Sequence, residues 1–533
     1  MADSAETDWV SRFADEVISE AERRAPGKTI VCASGLSPSG PIHLGNLREV
    51  MTPHLVADEI RRRGRKCVHL LSWDDYDRFR RVPAGIDQSW AEHIGKPLTS
   101  VPAPPGSSYA NWAEHFKAPM IAALQEMGVE FHAISQTAQY TTGAYREQIL
   151  TAVRARARID AVLSRYRSKE VEDYFPYKPY CDLCERDLTT VTNYDDETTE
   201  LAYTCECGFG ETVRLAEHDR GKLVWKVDWP MRWAHEGVIF EPSGVDHHSP
   251  GSAWVVGAQI VGEVFGGQQP IGPMYAFVGI TGMAKMSSSK GNVPTPADAL
   301  EIMEAPVLRW LYARRKPAQS FKIAFDQEIQ RLYDEWDALG RKVAAGQAQP
   351  AELTAYQRAV STAAGPLPAT PHPVPYRTLA SVADITTGDA EQSLRILRDL
   401  DGVRALDDTR PRLDRAQRWV EAHLPAESRT RVRDSPDQEL LDSLGRGERE
   451  GLRLLADGLD DWTLEGLTTL VYGVPKLQAG LDADAKATPE LKAAQRAFFA
   501  LLYRLLVGRD TGPRLPTLLM AVGADRVRKL VGA

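Results

Sequence analysis

The chain has 533 residues, of which 43% are apolar and 26% are charged, and its formal net charge is −9. This length predicts roughly three to four domains. The acidic balance excludes a protein that binds polyanions over its whole surface, but it permits a local basic groove.

The N-terminal region is predicted to form a helix followed by a β-α-β unit. An acidic amphipathic helix is expected within 2–24, without the layout of a signal peptide. Strands are predicted over 28–33 and 66–72, with a helix over 42–63 between them. Ligands bind at the carboxyl ends of strands in open α/β sheets, so we expect function in the residues after each strand.

The first strand is followed by the sequence SPSGPIHLGN, which ends at Asn46. Its small residues let a ligand approach the backbone, and the start of the next helix supplies N–H groups and positive potential for phosphates. His43 and Asn46 lie on one face of the first helical turn, where both would contact one triphosphate. Taken alone, the motif is equally compatible with an ordinary turn and a capping Asn.

Two carboxylates, Asp74 and Asp75, follow the second strand. Their position at the carboxyl edge of the sheet suits a receptor for an ammonium group, and Asp74 is the preferred candidate. The alternative is a surface ion network with Arg78 and Arg80.

The segment 91–220 interrupts the α/β pattern and is interpreted as an insertion. Two cysteine pairs within it predict a structural Zn²⁺ site with four thiolates: Cys181, Cys184, Cys205 and Cys207. The second pair is separated by one residue instead of the usual two, so the role of Cys207 stays open. Disulfides or free thiols are the alternative.

Strand-like runs return over 222–227 and 274–280. Trp225 falls on the first of these runs, where core packing explains it as well as ligand contact does. Between the two runs, Gly244 and Asp246 form a short cluster that suits a ribose with two hydroxyl groups, or an Asx turn.

The segment 282–292 reads GMAKMSSSKGN and follows the last of these strands. It is predicted to be a donor-rich loop whose lysine meets charge that develops on a transferring phosphoryl group. Considered alone, the segment is better explained as a solvated Ser/Lys loop.

The rest of the chain is predicted to be helical, with a break at five prolines between Gly365 and Pro375. The clearest helix begins after Thr488 and ends at Gly508. A basic run lies upstream of the break and suits phosphate contacts or a solvated helix face: Arg309, Arg314, Arg315 and Lys316.

The two motifs together resemble the nucleotide-binding signatures of class I aminoacyl-tRNA synthetases, usually spelled HIGH and KMSKS. Asn46 replaces the second His of the first signature, and Ser288 replaces the second Lys of the second signature. Either Ser288 or Lys290 would take the role of that lysine. The wider sequence is similar to the class I lysyl-tRNA synthetases of archaea and some bacteria. The similar segments are ASGLSPSGPIHLGNLREV, SWDDYDRFRRVP, WKVDWPMRWAHEGVIFEPSGVDHHSPGSA, GMAKMSSSKGN, WLYARRKP and GPRLP.

The resemblance implies an α/β fold with a Rossmann-type parallel-sheet catalytic domain in two halves, 1–90 and 221–300. It implies that the zinc-bearing insertion 91–220 handles the tRNA acceptor end, that 301–364 is a helical region contacting the tRNA stem, and that 376–533 is an all-α anticodon-binding domain. The implied reaction joins L-lysine to lysine tRNA and consumes ATP with Mg²⁺. We expect a cytoplasmic monomer that binds neither membrane nor DNA.

The resemblance also assigns residues to roles. The implied catalytic residues are His43, Asn46 and Lys285. The implied ATP-binding residues are Pro38, Ser39, Gly45, Gly244, Asp246, Met286, Ser287, Ser288 and Lys290. The implied lysine-binding residues are Gly35, Ser37, Asp74, Trp225 and His247, although the sequence does not decide between His247 and His248.

Two alternatives are weighed against this reading. A glutamyl or glutaminyl enzyme shares the architecture, but Trp225 and the lack of an obvious Arg on the pocket strands disfavour a substrate with a side-chain carboxylate. A catalytically silent relative that binds tRNA or an adenylate is disfavoured because both signatures and the helical C-terminal region are present.

Overall fold

The computed structural model describes residues 8–167, 173–281, 293–460, 463–482, 484–486 and 488–532. It divides into two compact units. The first comprises Met1–Leu300, Ala305–Ala324 and Leu339–Pro368, and the second comprises Glu301–Glu304, Phe325–Ala338 and Ala369–Ala533.

The helices up to Val360 are α1 Trp9–Arg24, α2 Leu44–Arg62, α3 Trp112–Glu126, α4 Gln136–Thr141, α5 Arg146–Arg154, α6 Arg156–Ser164, α7 Trp225–Glu236, α8 Ala253–Glu263, α9 Pro296–Ile302, α10 Ala305–Ala313, α11 Glu328–Ala344 and α12 Pro350–Val360. The strands are β1 Ile30–Leu36, β2 Cys67–Trp73, β3 His132–Ser135, β4 Tyr177–Pro179, β5 Thr189–Tyr194, β6 Glu200–Cys205, β7 Gly210–Arg214, β8 Gly221–Leu223, β9 Ser243–Gly244, β10 Met274–Tyr275, β11 Val278–Ile280, β12 Phe321–Ile323, β13 Ser361–Thr362 and β14 Gly365–Pro366.

A parallel sheet forms the centre of the first unit. β1 pairs with β2, with Ile30 opposite Cys67, and β2 pairs with β3. Parallel bridges from Cys32 to Phe240 and from Phe240 to Ile271 extend the pairing on the other side of β1. Strands are therefore added on one side of β1 first and then on the other, and such a switch point is where open α/β sheets bind ligands.

The predicted β-α-β unit is confirmed by β1, α2 and β2. The pairing of β3 with β2 continues the sheet into 91–220, the range expected to interrupt it. The predicted strand over 222–227 is wrong beyond Leu223, because Trp225 is the first residue of α7. Its Val and Trp residues favour strands, but Val227 and Met231 lie one helical turn apart and both are buried. Burial of this helical face therefore overrides the local propensity.

Helix α2 positions the first motif. It begins at the N-cap His43 and packs against β1, β2 and α1. Val50, Met51 and Val56 on this helix are fully buried, and burial of each such side chain contributes about 1.5–3 kcal/mol. This packing fixes the helix N-terminus at the edge of the sheet.

The basic run after the second signature is only partly exposed. Arg309 in α10 is fully buried and donates hydrogen bonds to the carbonyls of Met127 (2.8 Å) and Arg358 (2.7 Å). The expectation that Arg309 contacts phosphates is therefore wrong, whereas Arg315 and Lys316 are exposed.

The cysteine-bearing part contains the antiparallel sheet β5-β6-β7 and the antiparallel pair β4-β8. Its core includes Tyr203 and Leu201 from β6 and Val153 and Ile159 from the neighbouring helices α5 and α6. The sheet and these helices thus bury a common apolar surface.

The elements after Pro375 are helices in the part of the chain that the structure describes: α13 Tyr376–Thr386, α14 Ala390–Asp401, α15 Arg412–His423, α16 Gln438–Ser443, α17 Arg446–Asp457, α18 Leu464–Gln478, α19 Pro489–Val507, α20 Leu515–Val522 and α21 Ala524–Leu530. The predicted limits of α19 are confirmed, with Thr488 capping its start and Gly508 at φ 72° ending it. Among the described residues, no helix has both the length and the apolar character needed to cross a membrane.

Candidate active site

Two adjoining cavities lie at the carboxyl end of β1. The inner cavity has a volume of about 230 Å³ and is lined by the end of β1, by α7 and by Glu241. The outer cavity, of about 830 Å³, is lined by the start of α2, by Gly244 and Asp246, and by β11 and β12. Asn46, Glu49 and His247 line both cavities, so a ligand in one meets a ligand in the other at these residues.

The N-terminus of α2 faces the outer cavity. His43 Nδ1 accepts a hydrogen bond from the Gly45 N–H at 3.1 Å. Burial lowers the pKa of His43, which keeps the imidazole neutral near pH 7. Because Nδ1 accepts this hydrogen bond, the proton of the neutral ring is on Nε2. His43 Nε2, the Asn46 amide and the helix N-terminus are therefore donors suited to a phosphate.

Gly244 and Asp246 also line the outer cavity. A Cβ at position 244 would lie 2.5 Å from Asp246 Oδ1, so glycine is required for the carboxylate to occupy this place. The Asp246 side chain is 67% exposed, which leaves it accessible to hydroxyl groups of a ligand.

The inner cavity is acidic. Four carboxyl groups and a single Arg line it among the described residues: Glu49, Asp74, Glu236, Glu241 and Arg232. Burial, together with the charge of Glu241, raises the pKa of Glu49 to about 8. Burial likewise raises the pKa of Glu241 to about 7 and that of Asp74 to about 6. Groups with raised pKa values become ionised when a cation binds beside them.

Gly35, near the end of β1, lies close to two of these acids. A Cβ at this position would lie 3.9 Å from Asp74 Oδ2 and 4.0 Å from Glu49 Oε1. Ser37, the first residue after β1, lines the same cavity. Two of the predicted lysine-binding residues, Gly35 and Ser37, therefore line the same cavity as the acids.

The two strand-end carboxylates have different surroundings. Asp74 lines the inner cavity and accepts a hydrogen bond from Arg232 Nη1 at 2.6 Å. Asp75 is fully buried and accepts hydrogen bonds from Lys117 Nζ (2.6 Å), Ser135 Oγ (2.7 Å) and the Thr137 N–H (2.8 Å). The partners are thus not Arg78 and Arg80, the ones considered from the sequence.

Aromatic rings cover one side of the inner cavity. The rings of Trp225 and Trp229 stack with centroids 5.2 Å apart, and His247 meets Trp229 edge-on at 5.4 Å. His248 instead shares a 2.7 Å hydrogen bond with Ser243 Oγ and packs beside Trp254. Of the two histidines, His247 is the one that lines the cavities.

The remaining predicted ATP-binding residues are not all placed at the cavities. Pro38 and Ser39 line neither cavity. Pro38 is buried, and the Ser39 carbonyl accepts a hydrogen bond from Trp112 Nε1 at 3.2 Å. The second signature lies outside the described residues, with Lys285, Met286, Ser287, Ser288 and Lys290.

The acids Glu49 and Glu241 and the cation Arg232 were not identified from the sequence. Glu49 follows Asn46 by three positions on α2, a spacing that places both on one helical face. Only Arg residues on the pocket strands were considered from the sequence, whereas Arg232 lines the cavity from helix α7. Both Arg232 and Glu241 fall within the long similar segment that begins at Trp225, which was the available signal.

The four clustered cysteines form a possible metal site. Their sulfur atoms lie within 4.8 Å of one another, and the separations are 3.7 Å between Cys181 and Cys207 and 3.6 Å between Cys184 and Cys205. Four thiolates about 2.3 Å from a central ion, in tetrahedral geometry, have similar separations. Cys207 is part of the cluster despite the short spacing from Cys205.

Comparisons with known proteins identify the family of the chain. The family model described as tRNA synthetases class I (K) matches residues 7–365. A lysine–tRNA ligase of Streptomyces coelicolor is 67% identical, and the match covers 100% of this chain and 99% of that protein. Lysine–tRNA ligases of Treponema pallidum and Pyrococcus horikoshii are 32% and 31% identical, each over 98% of both chains.

These relatives do not favour a glutamyl or glutaminyl enzyme or a catalytically silent relative. The match to the family model and the similarity over the whole chain decide the family. The chain belongs to the class I lysyl-tRNA synthetases.

Proposed function

We propose that the chain, acting as a lysine–tRNA ligase, binds L-lysine in the inner cavity and ATP in the outer cavity. The observation that carries this proposal is the shared rim of Asn46, Glu49 and His247. There the lysine carboxylate would meet the α-phosphate of ATP in a near-attack geometry.

Charge supports lysine as the occupant of the inner cavity. Free lysine carries two ammonium groups, and the cavity offers four carboxyl groups against one guanidinium. We assign the α-ammonium to Asp74 beside Gly35 and Ser37. The aliphatic stem would lie against Trp225 and His247, which suits a cation on a hydrocarbon chain.

In the first chemical step, a lysine carboxylate oxygen bonds to the α-phosphorus while the bond from that phosphorus to pyrophosphate breaks. His43 and Asn46 would donate hydrogen bonds to the phosphate oxygens, and Lys285 would meet the charge that develops on them. Mg²⁺ bound with ATP would neutralise the leaving pyrophosphate.

In the second step, a hydroxyl oxygen of the terminal ribose of lysine tRNA bonds to the lysyl carbonyl carbon. The bond to AMP breaks and the hydroxyl proton is released; the class I resemblance implies the 2′-OH. The ribose of ATP is assigned to Gly244 and Asp246, with Gly45 at the phosphates. Pro38, Ser39, Met286, Ser287, Ser288 and Lys290 complete the proposed ATP site.

We assign Zn²⁺ to the four-cysteine cluster, where it would have a structural role. The sulfur separations and the two tight turns around the cysteine pairs support this assignment. We assign 91–220 to the acceptor end, 301–364 to the tRNA stem and 376–533 to the anticodon.

ATP–pyrophosphate exchange with lysine, glutamate and glutamine, with and without tRNA, tests the amino-acid assignment. We expect exchange with lysine and none with glutamate or glutamine. Exchange that does not depend on lysine, or no exchange under any condition, would refute the amino-acid assignment. Charging of lysine tRNA against a version with a changed anticodon tests the role of 376–533. Equal charging of the two would refute anticodon reading without affecting the cavity assignments.

A further inference from the structure

Arg232 places a positive charge in the wall of a cavity proposed to receive a cation. Its guanidinium lines the inner cavity, and Nη1 lies 2.6 Å from Asp74 Oδ1 and 3.2 Å from Ser72 Oγ. An unneutralised guanidinium here would repel the ammonium groups of lysine and would bond the Asp74 carboxylate at their expense.

Asp228 lies behind Arg232, one helical turn earlier on α7. It is fully buried, is not among the residues that line the cavity, and accepts a hydrogen bond from Arg232 Nη2. Tyr140 from α4 also donates its hydroxyl proton to Asp228, on the other carboxylate oxygen. The guanidinium thus bridges a carboxylate in the cavity and a carboxylate that the substrate does not reach.

The surrounding charges leave this arrangement with one negative charge in excess. Among the described residues, Lys222 is the other cation that acts on Asp74, and it is bonded to Asp77. Arg232 balances one of its two carboxylate partners, Asp74 and Asp228. Without the charge of Asp228, Arg232 and Asp74 would neutralise each other.

We propose that Asp228 controls the affinity for the α-ammonium of the substrate by acting through Arg232. By neutralising the guanidinium from behind, it leaves the charge of Asp74 available to that α-ammonium. Asp228 is a positioning residue and does not touch the substrate. This inference rests on the proposed assignment of lysine to the inner cavity.

The test compares L-lysine with 6-aminohexanoate, which has the same hydrocarbon chain, carboxylate and ε-ammonium and lacks the α-ammonium assigned to Asp74. Lysine is measured as the substrate in tRNA charging and 6-aminohexanoate as a competitive inhibitor. Their ratio within one preparation does not depend on the fraction of folded enzyme. We expect Asp228→Asn to reduce the preference for lysine by roughly ten- to a hundredfold, from the loss of one charge several ångströms away in a partly buried site.

Two further variants separate charge from structure. Tyr140→Phe removes a hydrogen bond to Asp228 but keeps its charge, so the preference for lysine should stay within about threefold of the wild type. D228N/R232Q removes both opposing charges and should restore the preference that D228N loses. The inference is overturned if D228N keeps the wild-type preference, if Y140F loses as much as D228N does, or if the double variant stays as low as D228N.

Glu49→Gln tests the underlying site separately. If this variant leaves the KM for lysine unchanged, the assignment of lysine to the inner cavity fails. If E49Q raises that KM while D228N keeps the wild-type preference, the inference about Asp228 alone fails.

Discussion

Lysine binding should release protons from the enzyme, because the acids of the inner cavity are partly protonated before a cation enters. Burial raises the pKa of Glu49 to about 8 and that of Glu241 to about 7. An ammonium group beside either acid favours its ionised form. The two carboxyl groups must therefore give up protons as lysine binds near pH 7.

These pKa values set the expected magnitude. At pH 7 a group with a pKa of about 8 holds roughly 0.9 of a proton, and a group with a pKa of about 7 holds roughly 0.5. If both ionise fully, binding releases roughly one to one and a half protons. The affinity for lysine should then rise with pH between about 6 and 8, by roughly tenfold per pH unit where one proton is released.

The same groups should act on stability in the opposite direction. Folding raises both pKa values above the ordinary value of 4.5. The folded protein therefore binds more protons than the unfolded chain does. Their contribution to the stability of the lysine-free protein is fully present below about pH 4.5 and is lost as the pH rises through 7 and 8.

Calorimetric titration of lysine at pH 7, in two buffers with different ionisation enthalpies, counts the released protons. Parallel titrations with saturating tRNA give the count for the complex. Glu49→Gln should reduce the release by roughly 0.9 of a proton and weaken binding. Glu147→Gln, at an exposed position on α5, is the matched control and should change neither quantity. A binding enthalpy that is the same in both buffers would refute the reasoning. So would an E49Q variant that releases as many protons on lysine binding as the wild type does.

Three further predictions concern other parts of the chain. Lys285→Ala should reduce lysine activation severely while tRNA affinity stays nearly unchanged, because the cation meets charge that appears in the transition state. Activation kinetics measure the first quantity and filter-binding titrations the second, and a normal turnover of the variant would contradict the prediction. The isolated protein should hold about one equivalent of zinc, and the variant in which Cys181 and Cys184 are both changed to Ser should hold none. Metal analysis by mass spectrometry measures this, and a metal-free wild type with reactive thiols would exclude the site. Asp75→Asn should destabilise the first unit by about 1–3 kcal/mol, because Lys117 loses its closest charged partner and keeps Glu114, 2.8 Å away, as its remaining carboxylate. A urea unfolding midpoint equal to that of the wild type would contradict this.

The elements that could be predicted from the sequence are those with a local cause. Helix α2 has a capping residue at His43, and α19 has Thr488 at its start and Gly508 at its end. The boundary of α7 was missed because Trp and Val favour strands, whereas the burial that makes the segment helical depends on α8 and on the sheet. A preference set by distant partners is not visible in a short stretch of sequence.

Charged residues were harder to interpret than backbone elements. Arg309 appears in the sequence as one of a run of cations, yet in the fold it is fully buried and bonded to carbonyl oxygens. In the sequence, Glu49 directly follows the cation Arg48, and Glu241 follows a short apolar run. The pKa of Glu49 is raised by burial and by the charge of Glu241, and the pKa of Glu241 is raised by burial and by the charge of Asp74, although these acids are far apart in the chain.

The strand order explains how such distant residues form one site. Phe240 pairs with β1 on the side opposite β2, so the segment that follows it emerges beside the loop that follows β1. Glu241 is the next residue after Phe240, and Gly244 and Asp246 follow within the next five residues. The inner and outer cavities occupy the gap between these two chain exits, at the switch point of the sheet. Lysine and ATP would meet there because a single change in the direction of strand addition opens one crevice, which both cavities share.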